Sequence, residues 1–155
     1  MERNDLTIRK ATTKDLDFLF EMINGLAKYE KRPEDMTGSK EMLKSWLFEK
    51  KIATPIIAQT SDGPIGYAIY YPTFASFAAK ANIYIEDLFI KEEYRGKGFG
   101  KEFFHKLSEM LKNEGYAKLE WSCLDWNVPS IEFYKKLDAK EETGRVHFEY
   151  NPKNE

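Results

Sequence analysis

The sequence predicts an α/β or α+β domain. Short apolar runs of strand character alternate with segments whose apolar residues recur at helical spacing. A strand, loop, helix and strand succession around Tyr84 to Leu124 reads as a parallel crossover. The chain has 155 residues, the size of one ordinary domain, with no linker and no internal repeat, so a single domain over 1–155 is expected.

Leu6 to Ile8 reads as the opening strand. Leu16, Leu19, Phe20, Ile23, Leu26 and Ala27 then recur at helical spacing, with Thr12 or Thr13 as N-cap, and polar Lys28 to Gly38 with Pro33 stops that helix near Tyr29. Met42, Leu43, Trp46 and Leu47 mark a shorter helix. Ile56 to Gln59 and Ile65 to Tyr71 flank the turn Ser61-Asp62-Gly63-Pro64 as a hairpin. Asn82 to Ile90 is the most strand-like stretch. Phe99, Phe103, Leu107, Met110 and Leu111 line one face of a helix ending near Gly115. Leu119 to Leu124 reads as a strand, Pro129 to Leu137 as a helix, and Arg145 to Tyr150 as the closing strand.

Composition narrows the function classes. Hydrophobic residues at 42% and aromatics at 15% exclude intrinsic disorder. The 24 basic side chains meet 26 acidic ones for a net charge of -2, so the footprint of a nucleic-acid binder is absent. No apolar run approaches the ~20 residues of a membrane span, and Met1 to Lys10 has no apolar signal core. The single cysteine, Cys123, excludes an internal disulfide framework and fits a reducing, cytoplasmic setting. It reads as a small core residue. His105 and His147 are isolated, so no metal site is expected.

The most specific signal is Arg95-Gly96-Lys97-Gly98-Phe99-Gly100-Lys101, between a strand and a helix. Glycines let the backbone approach a ligand, and the following helix start offers amides and a positive dipole end to an anion. Arg95, Lys97 and Lys101 add charge. The spacing is neither a dinucleotide fingerprint, whose sixth position falls on Lys101, nor a Walker loop, because Arg95 and Glu102 occupy required places. A second signal is Glu86-Asp87 inside an otherwise apolar strand, a local conflict of the kind that gathers at functional sites. Strict pleating sends the two acids to opposite faces unless a bulge intervenes.

Arg95-x-x-Gly98-x-Gly100 resembles the pyrophosphate-binding motif of the GNAT superfamily of N-acetyltransferases. Trp126-Asn127-x-Pro129-Ser130-Ile131-x-Phe133-Tyr134-Lys135-Lys136 resembles that family's second motif. The likeness is nearest to the spermidine/spermine and thialysine acetyltransferase branch, through Leu26-Ala27-Lys28-Tyr29-Glu30, Tyr70-Tyr71, Tyr84 to Ile90 and Tyr94-Arg95-Gly96. It implies the GNAT fold, a mixed sheet of about six to seven strands flanked by about four helices.

It also implies acetyl-CoA as co-substrate, without a metal. Arg95, Gly96, Lys97, Gly98, Phe99, Gly100 and Lys101 would hold it, with Asn127, Pro129, Ser130 and the backbone of Leu88, Phe89 and Ile90. Substrate contacts would come from Tyr29, Glu30, Glu86, Asp87, Glu120, Trp121 and Ser122. Glu86 corresponds to the branch's proposed base, acting through water on a strand known for a bulge, and Tyr134 to the proposed general acid. Tyr134 lies two helical turns beyond Asn127, on the same side if the helix reaches that far. The chemistry needs such groups: a lysine-like amine has pKa ~10.4, so its neutral form at pH 7 costs about 4.6 kcal/mol. The acceptor expected is a small cationic amine, a di- or polyamine or a thialysine- or lysine-like amino acid, and the branch implies a homodimer. A fold-mate acting on a protein N-terminus or an aminoglycoside, a CoA-binding module without turnover and an unrelated phosphate-binding protein stay open. One departure is Leu137-Asp138-Ala139, where the family usually has Gly after the second motif's helix.

Overall fold

The computed structural model describes residues 5–153. They fall into two compact units, one ending at Ser122 and the other beginning at Cys123. The larger unit is built on a five-stranded sheet of β1 (Thr7–Lys10), β2 (Thr54–Thr60), β3 (Gly63–Ala75), β4 (Lys80–Ile90) and β5 (Leu119–Glu120), ordered as in the chain. Neighbours from β1 to β4 are antiparallel, whereas β5 joins β4 in parallel. A parallel pair cannot be closed by a tight turn, and α3 (Phe99–Asn113) makes the crossover.

Helix α1 (Leu16–Tyr29) follows a short turn of 3₁₀-helix that Thr12 and Asp15 close with a capping box. Asp15 is also clamped by two hydrogen bonds from Arg9, at 2.8 and 2.9 Å. At its far end Arg32 N–H donates to Ala27 C=O and Lys31 N–H to Lys28 C=O, with Lys31 left-handed at φ 60°. This Schellman closure stops the helix where its apolar periodicity ends and leaves Glu30 at the C-cap. Helix α2 (Lys40–Lys44), capped by Ser39, continues into a π-helical turn, Ser45–Glu49.

The sheet buries both faces. On one, which we call the α3 side, Ile56, Ala68, Ile83 and Ile85 pack with Phe103, Leu107 and Leu111. On the other, the α1 side, Ile57, Tyr67 and Ile69 pack with Leu19, Met22 and Leu47. Covering both faces explains why Pro55 to Ala58 shows no polar alternation. Each fully buried Phe or Leu contributes about 1.5–3 kcal/mol by leaving water. At Gly66 on β3 an added Cβ would lie 2.6 Å from the Phe89 carbonyl oxygen and 2.7 Å from Ile90 Cδ1, so glycine there sets the closeness of β3 and β4.

In the smaller unit α4 (Val128–Lys136) is capped by Asn127, whose Oδ1 accepts from Ser130 N–H at 3.4 Å. Its end is a second Schellman closure: Ala139 N–H donates to Tyr134 C=O and Asp138 N–H to Lys135 C=O. Asp138 occupies the left-handed position at φ 64°, the place the family usually gives to glycine.

Three expectations need correction. The described residues hold five strands rather than six to seven, alongside four α-helices. Residues 145–150 form no strand, and β5 is two residues long rather than running from Leu119 to Leu124. Alternating Val146, Phe148 and Tyr150 have strand chemistry, but all three are exposed and no neighbouring backbone pairs with them among the described residues. Period-two patterning describes a strand's faces; a ladder also needs a partner.

Gly66→Ala should destabilise the fold by about 1–3 kcal/mol through overpacking against backbone, read as a lower urea midpoint. Asp138→Gly should do the opposite, gaining about 0.5–1 kcal/mol by relieving the left-handed strain. An unchanged midpoint in either variant contradicts the close approach at Gly66 or the strain at Asp138, respectively.

Candidate active site

The register between β3 and β4 slips at one point. Tyr71 faces Tyr84 and Tyr70 faces Ile85, but Ile69 faces Asp87, so Glu86 is an extra residue with no partner across the ladder. A bulge of this kind reverses the inside-outside alternation beyond it. Ile83 and Ile85 point to the α3 side, and an uninterrupted pleat would send Asp87 there too. Instead Asp87 lies beside Tyr67 on the α1 side, where the Tyr67 hydroxyl donates to Oδ2 at 2.9 Å. The Tyr71 hydroxyl reaches Glu86 Oε1 at 3.5 Å, the outer limit of a hydrogen bond, and its ring lies 5.5 Å from that of Tyr84. The Tyr84 hydroxyl shares a 2.8 Å hydrogen bond with Ser122.

Three carboxylates therefore feel one another: Glu86, Asp87 and Glu30 from the end of α1. Burial first, then the charges of Glu86 and Glu30, push the Asp87 carboxyl up to about 6, against the pull of the Tyr67 hydroxyl. Burial and Glu86 likewise raise Glu30, which Arg32 partly offsets. Tyr67 is fully buried and held well above the usual phenol range by burial and by Asp87, so it stays a donor. Burial and Glu86 raise Tyr71 in the same sense. Clustered acids at partly desolvated positions can receive a cation and accept its proton.

The glycine loop lies at the start of α3. Gly96 and Gly98 adopt φ 75° and 84°, conformations that favour glycine, and Gly98 is the N-cap. The three loop cations do not form one cluster. Arg95 donates from Nε to the Ile90 carbonyl at 3.0 Å, and its guanidinium lies 5.0 and 4.8 Å from the Tyr29 and Phe89 ring centres. Lys97 Nζ sits 5.8 Å from the Tyr94 ring. Lys101 lines an open groove of about 430 Å³ with Gly98, Glu102, His105, Lys106 and Glu109. Anion binding here would thus lean on the backbone and the helix dipole more than on three converging side chains. Arg95 instead ties the loop to Tyr29 at the end of α1.

Parallel pairing of β4 with β5 involves only Ile83 with Leu119 and Tyr84 with Glu120. Beyond that point β4 pairs with β3 alone, through Leu88 to Ala68, Phe89 to Tyr67 and Ile90 to Gly66. Its other edge has no strand beside it among the described residues. Trp121 packs on the α3 side, its ring 5.2 Å from that of Phe104, away from the face that carries the acids. Glu120 is exposed and pairs with Lys118 at 3.5 Å. The remaining expected residues belong to the smaller unit. There Asn127 is buried and uses Oδ1 as the cap of α4, Pro129 and Ser130 form the first turn, and half-buried Tyr134 stacks edge-on to Phe133 at 5.5 Å.

The larger unit thus brings together Tyr29, Glu30, Glu86 and Asp87 and leaves Trp121 apart. Tyr67 is not legible as a site residue in the sequence because its partner depends on the slip in register; without it, Tyr67 and Asp87 lie on opposite faces. Among the described residues no group of three or more His, Cys, Asp or Glu is placed to hold a metal ion, and no helix is long and apolar enough to cross a membrane.

Comparison with known proteins agrees with this architecture. Residues 19–139, a span that runs through both units, match the model of the acetyltransferase (GNAT) family. A thialysine N-epsilon-acetyltransferase of Sus scrofa is 32% identical over 145 residues, covering 88% of this chain and 85% of the relative. An L-ornithine N5-acetyltransferase of Arabidopsis thaliana is 40% identical over 75 residues, 48% of this chain and 33% of that protein. Among solved structures, a possible acetyltransferase from Clostridium difficile 630 superposes with a TM-score of 0.80 at 18% identity, covering 96% of this chain and 99% of that one. An aminoglycoside acetyltransferase from an uncultured soil metagenomic sample gives 0.78 at 19%, covering 96% and 97%. This family uses acetyl-CoA as its co-substrate, and the chain belongs to it: a GNAT-fold N-acetyltransferase.

Proposed function

We propose that this enzyme transfers acetyl from acetyl-CoA to the primary amine of a small cationic acceptor, a di- or polyamine or a thialysine- or lysine-like amino acid, by direct attack. The observation that carries this reading is the convergence of Glu30, Glu86 and Asp87 on the α1 side of the bulged strand. The names of the relatives support it, since thialysine and ornithine are both amino acids with a second, side-chain amine.

In this reading 1–155 is a single acetyltransferase domain. The backbone from Gly96 to Lys101 receives the pyrophosphate of acetyl-CoA, while Leu88, Phe89 and Ile90, on a strand edge with no strand beside it among the described residues, offer main-chain groups to its arm. An N–H donated to the thioester carbonyl stabilises the tetrahedral oxyanion. Asn127, Pro129 and Ser130 complete the cofactor contacts. Glu30, Glu86 and Asp87 hold the ammonium and take its proton, with Tyr29 and Ser122 at the rim of the acceptor site. Once the amine attacks and the C–S bond breaks, Tyr134 protonates the departing thiolate. A phenol of pKa ~10 gives its proton to a thiolate of ~8.5 at a cost of about 2 kcal/mol, small beside a reaction barrier. A homodimer and a reducing, cytoplasmic setting belong to the same reading; with Cys123 as its one cysteine the chain can form no internal disulfide.

Thiol release from acetyl-CoA should accelerate with spermidine, putrescine, thialysine or lysine. Turnover only with an aminoglycoside or a peptide N-terminus would replace the acceptor, and CoA binding without turnover on any amine would replace the enzyme by a binding module. Tyr134→Phe should lower kcat by about 10²-fold or more with the Kd for acetyl-CoA nearly unchanged; an unchanged kcat removes Tyr134 as the acid. Glu86→Gln should raise the acceptor KM while sparing that of acetyl-CoA, whereas equal losses on both would mark Glu86 as structural.

A further inference from the structure

The proposed reaction leaves open which carboxylate receives the ammonium proton. Glu86 is exposed, and its contact with Tyr71 is 3.5 Å long. Asp87 is mostly withdrawn from solvent and takes a 2.9 Å hydrogen bond on Oδ2 from a hydroxyl that is itself fully buried. A tyrosine packed among Ile57, Ile69 and Leu19 has little freedom to turn, so it fixes the carboxylate it bonds. We propose that Asp87, locked by the buried hydroxyl of Tyr67, is the group that takes the acceptor's ammonium proton, and that Tyr67 is its positioning residue. This rests on the acetyl-transfer reading above.

The proton balance is simple. The ammonium gives one proton to the Asp87 carboxylate, and the freed nitrogen lone pair forms the C–N bond to the thioester carbonyl carbon. Collapse of the tetrahedral intermediate breaks the C–S bond; Tyr134 protonates the thiolate, and the nitrogen's second proton passes through solvent to restore the phenol. The proton on Asp87 then returns to solvent, restoring the carboxylate. The groups facing Asp87 are Tyr67 from β3, Glu86 from its own strand and Glu30 from the end of α1, with Arg32 acting on Glu30. Burial first, then the charges of Glu86 and Glu30 against the Tyr67 hydrogen bond, place Asp87 at about 6. Relative to an ordinary aspartate, proton transfer from the amine is then favoured by about a hundred-fold, while at pH 7 to 8 Asp87 remains mostly ionised.

The signs of two substitutions are opposite. The Tyr67 hydroxyl holds Asp87 down, so Tyr67→Phe should raise its midpoint. Glu30 pushes it up, so Glu30→Gln should lower it. Because the base must be ionised, the acid limb of kcat/KM should move to higher pH in the first variant and to lower pH in the second, each by about half to one pH unit. The experiment pairs ¹³C NMR titration of the Asp87 carboxyl, identified by its loss in Asp87→Asn, with kcat/KM profiles for a diamine. Midpoint and limb moving together in both variants is the result expected, with the KM for acetyl-CoA within about two-fold of wild type. A limb that stays fixed while the midpoint moves, or one that survives in Asp87→Asn, overturns Asp87 as the base. A midpoint unmoved by Tyr67→Phe overturns the lock. If Tyr67→Phe does not fold, Glu30→Gln still decides whether the limb follows Asp87. Absence of turnover by the wild-type enzyme on any amine defeats the acetyl-transfer reading, and the proton's destination with it, while the titration still judges the Tyr67–Asp87 contact.

Discussion

A single extra residue in β4, Glu86, decides which side chains of that strand reach the α1 side, where the proposed acceptor would sit. Because Ile85 faces Tyr70 and Asp87 faces Ile69, every side chain from Asp87 to Ile90 is turned over relative to a regular pleat. Without the slip, Asp87 would be driven among Phe103, Leu107 and Leu111, where an unpaired carboxylate costs several kcal/mol, and Leu88 would face the acids. With it, Leu88 joins the α3-side core and Asp87 reaches the hydroxyl of Tyr67. Leu88, Phe89 and Ile90 pair with β3, and among the described residues no strand lies along their other side.

Charge in this protein is arranged rather than accumulated. The net of -2 conceals a loop with Arg95, Lys97 and Lys101 and a cluster of Glu30, Glu86 and Asp87. Arg95 belongs to both regions by position: it comes from the glycine loop, yet its guanidinium lies against Tyr29 and Phe89, next to the end of α1 that carries Glu30. Its tie to the Ile90 carbonyl makes it a strut between the glycine loop and the end of α1, so in the proposed reading backbone amides are the main attraction for pyrophosphate.

Local chemistry makes much of this legible in advance. The end of α1 at Tyr29 and the start of α3 at Phe99 follow from periodicity, glycines and capping rules, all short-range. The family motifs carry the cofactor loop and the second helix. The rest is hidden for physical reasons. Residues 145–150 have a strand's alternation, but pairing depends on a distant backbone that the residues do not encode locally. Asn127 reads as a cofactor contact, and its place before Pro129 and Ser130 also makes it a helix cap. Trp121 adjoins site candidates in sequence, but its ring packs with Phe104 on the other face. Tyr67 pairs with Asp87 only through the bulge, whose position is set by the register of two strands rather than by either one.

Both the acceptor site and the proton's route turn on where the acceptor's nitrogen goes. A crystal structure of the enzyme with CoA and a diamine tests that most directly. The expected result is an amine nitrogen on the α1 side of β4, within hydrogen-bond reach of Asp87 and close to Glu86 and Glu30. An amine bound away from these carboxylates, with Asp87 still held by Tyr67 and no ligand near it, would contradict it.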